Sequence, residues 1–262
     1  MQLYFIRHAQ STNNALYDRA GNEAERSDDP ELTDIGLRQA ECLASFLRKS
    51  KHDPSIKDRD PQNLRGYYPT HLYTSPMVRA VATATIVARA LGTTLAIWID
   101  LHEGGGLYLD DPQSGQHVGR PGKNREYYEK HYPGLGLPDL LGKKGWWNRP
   151  YEERPQRRER AQRFLNELLQ RHGKSDNRVM VFSHGGFYNH FLTALLNLPI
   201  NQTQSTEETI RADNDQHMLT DTTNSIWFSM MNCAITRIDF DVEEVRLVYQ
   251  NRVDFLPAEL IT

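Results

Sequence analysis

Short apolar runs alternating with helix-period segments constrain this chain more than any other feature of it. Residues 2–6 ("QLYFI") and the runs "HLYTS" from 71, "TLAIWID" from 94 and "VMVFS" from 179 have the length of buried strands. Between them lie helical patterns. Residues 33–49 carry Ile35, Leu37, Ala40, Leu43, Phe46 and Leu47 on one face, with Thr33 or Asp34 to cap the start. Residues 77–91 are Ala-rich and periodic, and Gly92 stops them. Residues 150–172 form a charged helix with a stripe at Ala161, Phe164, Leu165 and Leu168, and residues 185–196 form another helix. "AITRIDF" (234–240) and "VRLVYQN" (245–251) read as a closing hairpin. The alternation predicts an α/β fold, a three-layer sandwich with a largely parallel central sheet flanked by helices. Residues 51–69, polar and Pro-rich, read as a loop. The segments 104–149, with a weak helix near 123–131, and 199–224 read as cap insertions over the C-terminal ends of the strands of a single domain, 1–262.

Composition narrows the partners. A formal net charge of −3 over 262 residues gives no basis for nucleic acid binding. Cys42 and Cys233, the two cysteines, make no disulfide framework and match no zinc spacing, which suits a reducing interior. Only a few apolar residues precede Arg7, too few for a signal peptide, and no apolar run approaches a membrane span. The expectation is a cytoplasmic protein with neither membrane nor nucleic acid as partner.

In parallel α/β sheets, ligands bind beyond the carboxyl ends of the strands. The first strand ends in Arg7-His8, the second leads through Ser75 to Arg79, the third ends near His102-Glu103 before three glycines, and the strand at 179 ends in Ser183-His184-Gly185-Gly186. Two histidines, two arginines and a glutamate can therefore converge from distant segments. Two guanidiniums suit the oxygens of a phosphate. Gly185 and Gly186 open a helix whose N-terminus also favours an anion. One imidazole could attack phosphorus while the other stabilises the group in transfer.

These residues resemble the histidine phosphatase superfamily, also called phosphoglycerate mutase-like. The likeness rests on Arg7-His8-Ala9 with Ser11 and Asn14 following, on "LTDIGLRQA", "SPMVRAVATA", "HEGGG" and "FSHGGF", all in family order. The resemblance implies that His8 is the nucleophile that becomes phosphohistidine. It implies that Arg7, Arg79 and His184 hold the phosphoryl oxygens, with Asn14 as an added donor, and that Glu103 gives a proton to the leaving oxygen. No metal and no cofactor is implied. Ala9 stands where the family pattern has Gly.

The mutase branch carries a Glu-Arg-His-Tyr-Gly segment after the catalytic Glu, and "HEGGGLYLDD" replaces it here. The mutase Phe-x-Gly-Trp segment is also replaced, by "ALYDRAGNEAERSDD". The expected activity is a phosphatase, a phosphoric monoester hydrolase acting on a small phosphorylated metabolite such as a sugar phosphate or phosphorylated carboxylic acid. The alternatives are a cofactor-dependent phosphoglycerate mutase and a non-catalytic phospholigand-binding protein. Trp146 and Trp147 are expected to pack the cap, and the charged run 152–163 to be a solvated helix face. Arg120, Lys123, Arg125, Lys143 and Lys144 are either surface charge or readers of a second anionic group.

Overall fold

The computed structural model describes residues 1–20, 26–49, 60–198 and 226–262. In chain order its elements are β1 (Gln2–Arg7), α1 (Thr12–Ala20), α2 (Asp34–Arg48), β2 (His71–Thr74), α3 (Val78–Leu91), β3 (Leu95–Ile97), β4 (Tyr108–Asp110), β5 (His117–Gly119), α4 (Arg125–His131), α5 (Arg154–His172), β6 (Arg178–Ser183), α6 (Gly185–Leu195), β7 (Ile235–Phe240) and β8 (Val245–Arg252). Among the described residues the main sheet has the order β3-β2-β6-β1-β7-β8. Strands β3, β2, β6 and β1 run parallel, and β7 and β8 add an antiparallel hairpin at one edge.

The apolar strand runs follow from burial on both faces. Leu3 and Phe5 of β1 join Val179 and Val181 of β6 in a core with Phe164 and Leu168 of α5 and Phe187 and Phe191 of α6. Tyr4, Ile6, Met180 and Phe182 point the other way, into a core with Leu43 and Leu47 of α2 and Ala84 and Val87 of α3. Three layers result, as the alternation predicts.

Helix α2 explains its own sequence. The Thr33 hydroxyl accepts from Gly36 N at 3.0 Å and caps the helix. A Cβ at Gly36 would fall 2.1 Å from the Gln10 carbonyl oxygen, so only glycine lets the helix approach the chain just past His8. Gln39 then fixes that chain, since its Oε1 accepts from Gln10 N at 2.7 Å while its Nε2 donates to Leu260 O at 2.7 Å. The helix therefore braces the turn that carries His8.

The structure departs from the sequence reading in four places. The strand expected over 94–100 ends at Ile97, because a 3-10 turn over Ile99–Leu101 follows. Helix α1 was not expected; its residues lack an apolar stripe, and it starts on Ser11, whose hydroxyl accepts from Asn14 N at 3.3 Å. The β4–β5 hairpin has three residues per strand, too few for a period to show. The run 152–163 is not a solvated face throughout, for Glu152, Arg157 and Arg160 are buried.

In the segment 104–149, Leu107, Tyr128, Leu141, Trp146 and Trp147 pack against Met77, Val81 and Ile97. The two tryptophans thus pack as expected. The excursion expected at 199–224 and the loop residues 51–59 lie outside the described residues. No helix among the described residues is long and apolar enough to cross a membrane.

Candidate active site

Strand β1 ends at Arg7, and His8 follows it, 3% exposed, with its N–H donating to Ser183 O at 2.9 Å. His8 Nδ1 is 2.7 Å from Ala9 O. A carbonyl only accepts, so Nδ1 carries the proton and Nε2 keeps its lone pair. Arg79 Nε donates to that lone pair at 3.1 Å. Burial holds the His8 pKa well below the ordinary histidine value, and the Arg79 and Arg7 guanidiniums depress it further. His8 is a neutral imidazole with a defined tautomer. The Ala9 methyl is fully buried in the core beneath, which accommodates the departure from glycine at that position.

Helix α3 delivers Arg79, and its other residues keep it in place. Thr83 Oγ1 donates to Arg79 O at 2.8 Å and accepts from Ala9 N at 3.0 Å, so one hydroxyl ties the arginine's helix to the histidine's turn. Ser75 Oγ shares a hydrogen bond with His184 Nε2 at 2.8 Å and accepts from Met77 N at 3.2 Å. The spacing Ser75, Arg79, Thr83 in "SPMVRAVATA" is the spacing of these three contacts.

His184 occupies the N-cap position of α6 without a side-chain capping bond, and its ring centroid lies 5.0 Å from that of His8. It is fully buried, and burial, then Arg79 and His8, hold its pKa well below the ordinary value. Arg7 Nη1 donates to Met230 O at 2.6 Å, and the guanidinium carbon lies 3.7 Å from where a Cβ of Gly185 would stand. Among the described residues, Arg7 Nε and His184 Nδ1 are buried without a hydrogen-bond partner. Unsatisfied buried polar groups of this kind occur at binding and catalytic sites.

Glu103 reaches the same helix start from the far end of the sheet. Its Oε1 accepts from Gly104 N and Phe187 N, each at 2.7 Å, and its Oε2 accepts from Gly186 N at 3.1 Å. A Cβ at Gly186 would lie 2.6 Å from Oε1. Gly186, rather than Gly185, is thus the glycine that admits the carboxylate. Asn14 Oδ1 accepts from Ser11 N at 3.1 Å and Ser11 Oγ at 3.0 Å, which leaves its amide nitrogen as the outward group.

A cleft is lined by Asn14, Tyr17, Arg26, Arg79, Glu103 and Tyr108, among others. Side-chain, ring and backbone contacts bring together His8, Arg79, His184, Glu103, Arg7, Gly185 and Asn14. Of the cap cations, Arg120 reaches this cleft through its partner Asp28, which lines it. Arg120 pairs with Asp28 at 3.6 Å, Lys123 lies over the Tyr127 ring, and Arg125 donates to Pro138 O at 2.8 Å.

Sequence reasoning missed two site neighbours. Asn232 Nδ2 donates to His8 O at 2.9 Å and approaches Asn14 Oδ1 at 3.4 Å. Asp29 Oδ1 accepts from Val78 N at 2.9 Å and so caps α3 one residue before Arg79, in place of Met77, which has no capping side chain. Burial pushes the Asp29 pKa up to about 7 against the pull of Arg79. Neither residue sits in a pattern with local meaning.

The sequence profile of the histidine phosphatase superfamily (branch 1) matches residues 3–56 and 59–212. The chain belongs to the histidine phosphatase superfamily. Solved structures of this architecture are similar over nearly whole chains. A mycobacterial glucosyl-3-phosphoglycerate phosphatase aligns with a TM-score of 0.52 and 19% identity, covering 96% of this chain and 99% of that one. A phosphoserine phosphatase from Entamoeba histolytica, solved with 3-phosphoglyceric acid, aligns with a TM-score of 0.53 and 17% identity, covering 98% and 99%. A Bacillus stearothermophilus protein, YhfR, aligns with a TM-score of 0.53 and 15% identity, covering 97% and 98%. At such identities the likeness is one of fold. A search of curated sequences returned no match.

Proposed function

We propose that this histidine phosphatase superfamily member is a phosphatase that hydrolyses a small phosphorylated metabolite, a sugar phosphate or a phosphorylated carboxylic acid, through a phosphohistidine at His8. The observation that carries the reading is the neutral His8 with its proton on Nδ1 and its Nε2 lone pair against Arg79. In the reaction, the phosphoryl oxygens take over the Arg79 donor, and Arg7, His184, Asn14 and the N-terminus of α6 at Gly185 supply the other donors. The Nε2 lone pair attacks phosphorus and the ester P–O bond breaks. Glu103 passes a proton, brought in by the substrate monoanion, to the leaving oxygen. Water then attacks phosphorus, the P–Nε2 bond breaks, and Glu103 takes the water's proton and passes it on to the departing inorganic phosphate. The guanidiniums supply the positive charge that a metal supplies in other phosphatases.

Two of the structural neighbours are named as phosphatases of glucosyl-3-phosphoglycerate and of phosphoserine, and these names favour a phosphorylated carboxylic acid as substrate. The test is phosphate release from a panel of phosphorylated metabolites, phosphoserine and 3-phosphoglycerate included, with excess chelator and with His8→Ala in parallel. Release that survives chelation and vanishes in His8→Ala is expected. Release no faster than that of His8→Ala on every compound overturns the reading and favours a non-catalytic binder.

A further inference from the structure

Arg160 is a charged residue on a long helix, yet it is 1% exposed. Its helical neighbours explain how it is buried. Positions 157, 160, 161, 164, 165 and 168 share one face of α5, so the arginine extends the apolar stripe by one turn toward the N-terminus. All five guanidinium N–H groups have acceptors. Nε donates to Glu152 Oε1 at 2.6 Å and Nη2 to Glu152 Oε2 at 2.7 Å. Nη1 donates to Asp100 O at 2.7 Å and to His102 O at 2.8 Å, and Nη2 also reaches Glu103 O at 3.4 Å.

Three of the five bonds thus go to main-chain carbonyls of the segment that ends in Glu103. Glu152 grips the same segment with its own backbone, its N–H donating to Gly105 O at 3.0 Å. The guanidinium also lies over the Phe187 ring, 4.6 Å from its centroid, and Phe187 N is a donor to the Glu103 carboxylate. Arg160 therefore touches the chain behind Glu103 and the residue in front of it. A buried ion pair is a poor source of net stability, because desolvation offsets most of the attraction. Its five directed bonds instead fix one backbone path.

We propose that Arg160, oriented by Glu152, is a positioning residue that sets the Glu103 carboxylate against the leaving oxygen. This inference rests on the reading of Glu103 as the proton donor. A positioning role predicts that losing the clamp hurts a poor leaving group more than a good one, as losing Glu103 does. A role in stability alone predicts equal losses on both.

The experiment measures kcat on an alkyl phosphate, the best metabolite substrate, and on p-nitrophenyl phosphate. The variants are Arg160→Lys, the double replacement Glu152→Leu with Arg160→Met, Glu103→Gln, and Arg160→Lys combined with Glu103→Gln. The double replacement removes both charges together and so leaves no unpaired buried charge, and thermal unfolding of each variant confirms that it is folded before kcat is compared. For both clamp variants we expect kcat to fall about 10–100-fold on the alkyl phosphate, a part of the usual worth of general acid catalysis, and several-fold less on the aryl phosphate. In the Glu103→Gln background Arg160→Lys should cost almost nothing more. Equal losses on the two substrates in both clamp variants, or full additivity with Glu103→Gln, overturn the inference while Glu103 keeps its role. Equal losses in Glu103→Gln itself overturn the proton-donor reading, and the clamp's role in catalysis with it.

Discussion

The Nε–H of Arg79 points at the Nε2 lone pair of His8 across 3.1 Å. If His8 is the nucleophile, this contact fixes the direction of its lone pair, and the Arg79 N–H gives way to phosphorus when substrate enters. It also depresses the His8 pKa, second only to burial itself. One guanidinium thus orients the imidazole and keeps it neutral.

Arg79→Lys keeps a cation and loses the planar fork. We expect kcat to fall about 10²–10³-fold, the usual cost of removing a preorganised donor to transition-state charge. Steady-state kinetics on one good substrate checks this; a rise in KM at unchanged kcat would assign Arg79 to uniform binding instead. Arg79→Met removes the charge as well. The His8 pKa then rises, so the acidic limb of the kcat/KM profile should move to higher pH. An unmoved limb would mean that the limb reports another group.

Glu103→Gln should separate leaving groups. A sugar or serine alkoxide needs a proton as the P–O bond breaks, and a nitrophenolate hardly does. The expected loss is about 10²–10⁴-fold on an alkyl phosphate and clearly less on p-nitrophenyl phosphate. Parallel kcat measurements decide it, with a burst on the aryl substrate marking slow hydrolysis of the phosphoenzyme.

Asp29 gives stability a pH dependence of known sign. Its folded pKa is raised to about 7 from the ordinary 3.8, mainly by burial. Between those values the folded carboxyl holds a proton that the unfolded one has lost, so this group makes stability fall as pH rises from about 4 to 7. The buried imidazoles His8, His102 and His184, all depressed by burial, act oppositely and cost stability as pH falls below about 6.5. Asp29→Asn removes only the first contribution. Denaturant titrations at pH 4.5 and 7.5 should show the variant gaining on the parent by about 3 kcal/mol at the higher pH. No gain would mean that Asp29 is ionised in the fold throughout.

Gly36→Ala tests the brace behind the His8 turn. The added methyl would lie 2.1 Å from the Gln10 carbonyl oxygen, so either α2 or the His8 turn must move. A loss of about 1–3 kcal/mol in stability together with a lower kcat is expected, measured by thermal unfolding and turnover. A variant with parent stability and parent turnover would show that the close approach is not needed.

How much of this was legible in the sequence depended on whether a residue's role is local. His8, Arg79 and His184 announce themselves because each stands where a strand gives way to a loop or helix, at the ligand-binding edge of a parallel sheet. Ser75, Thr83 and Gln39 lay inside recognisable motifs, but the contacts that explain the spacing appear only in three dimensions. Asn232 was out of reach: its bond to His8 O closes over 224 residues, and nothing near it in sequence has a period or a turn signal. Arg160 was misread because an Arg/Glu-rich run looks solvated. Its place on the stripe of Ala161, Phe164 and Leu168 was the overlooked sign. The 94–100 run reads as one strand because apolarity cannot separate a strand from the tight turn that ends it.

The central claim is that His8 Nε2 carries the phosphoryl group during turnover. The direct measurement is rapid-quench trapping with a ³²P-labelled substrate, followed by peptide mapping of the alkaline-stable adduct. The account predicts an acid-labile, base-stable phosphohistidine on His8 that forms and decays at rates compatible with turnover and is missing in His8→Ala. Turnover of the parent with no label on His8, or near-parent turnover in His8→Ala, would contradict it.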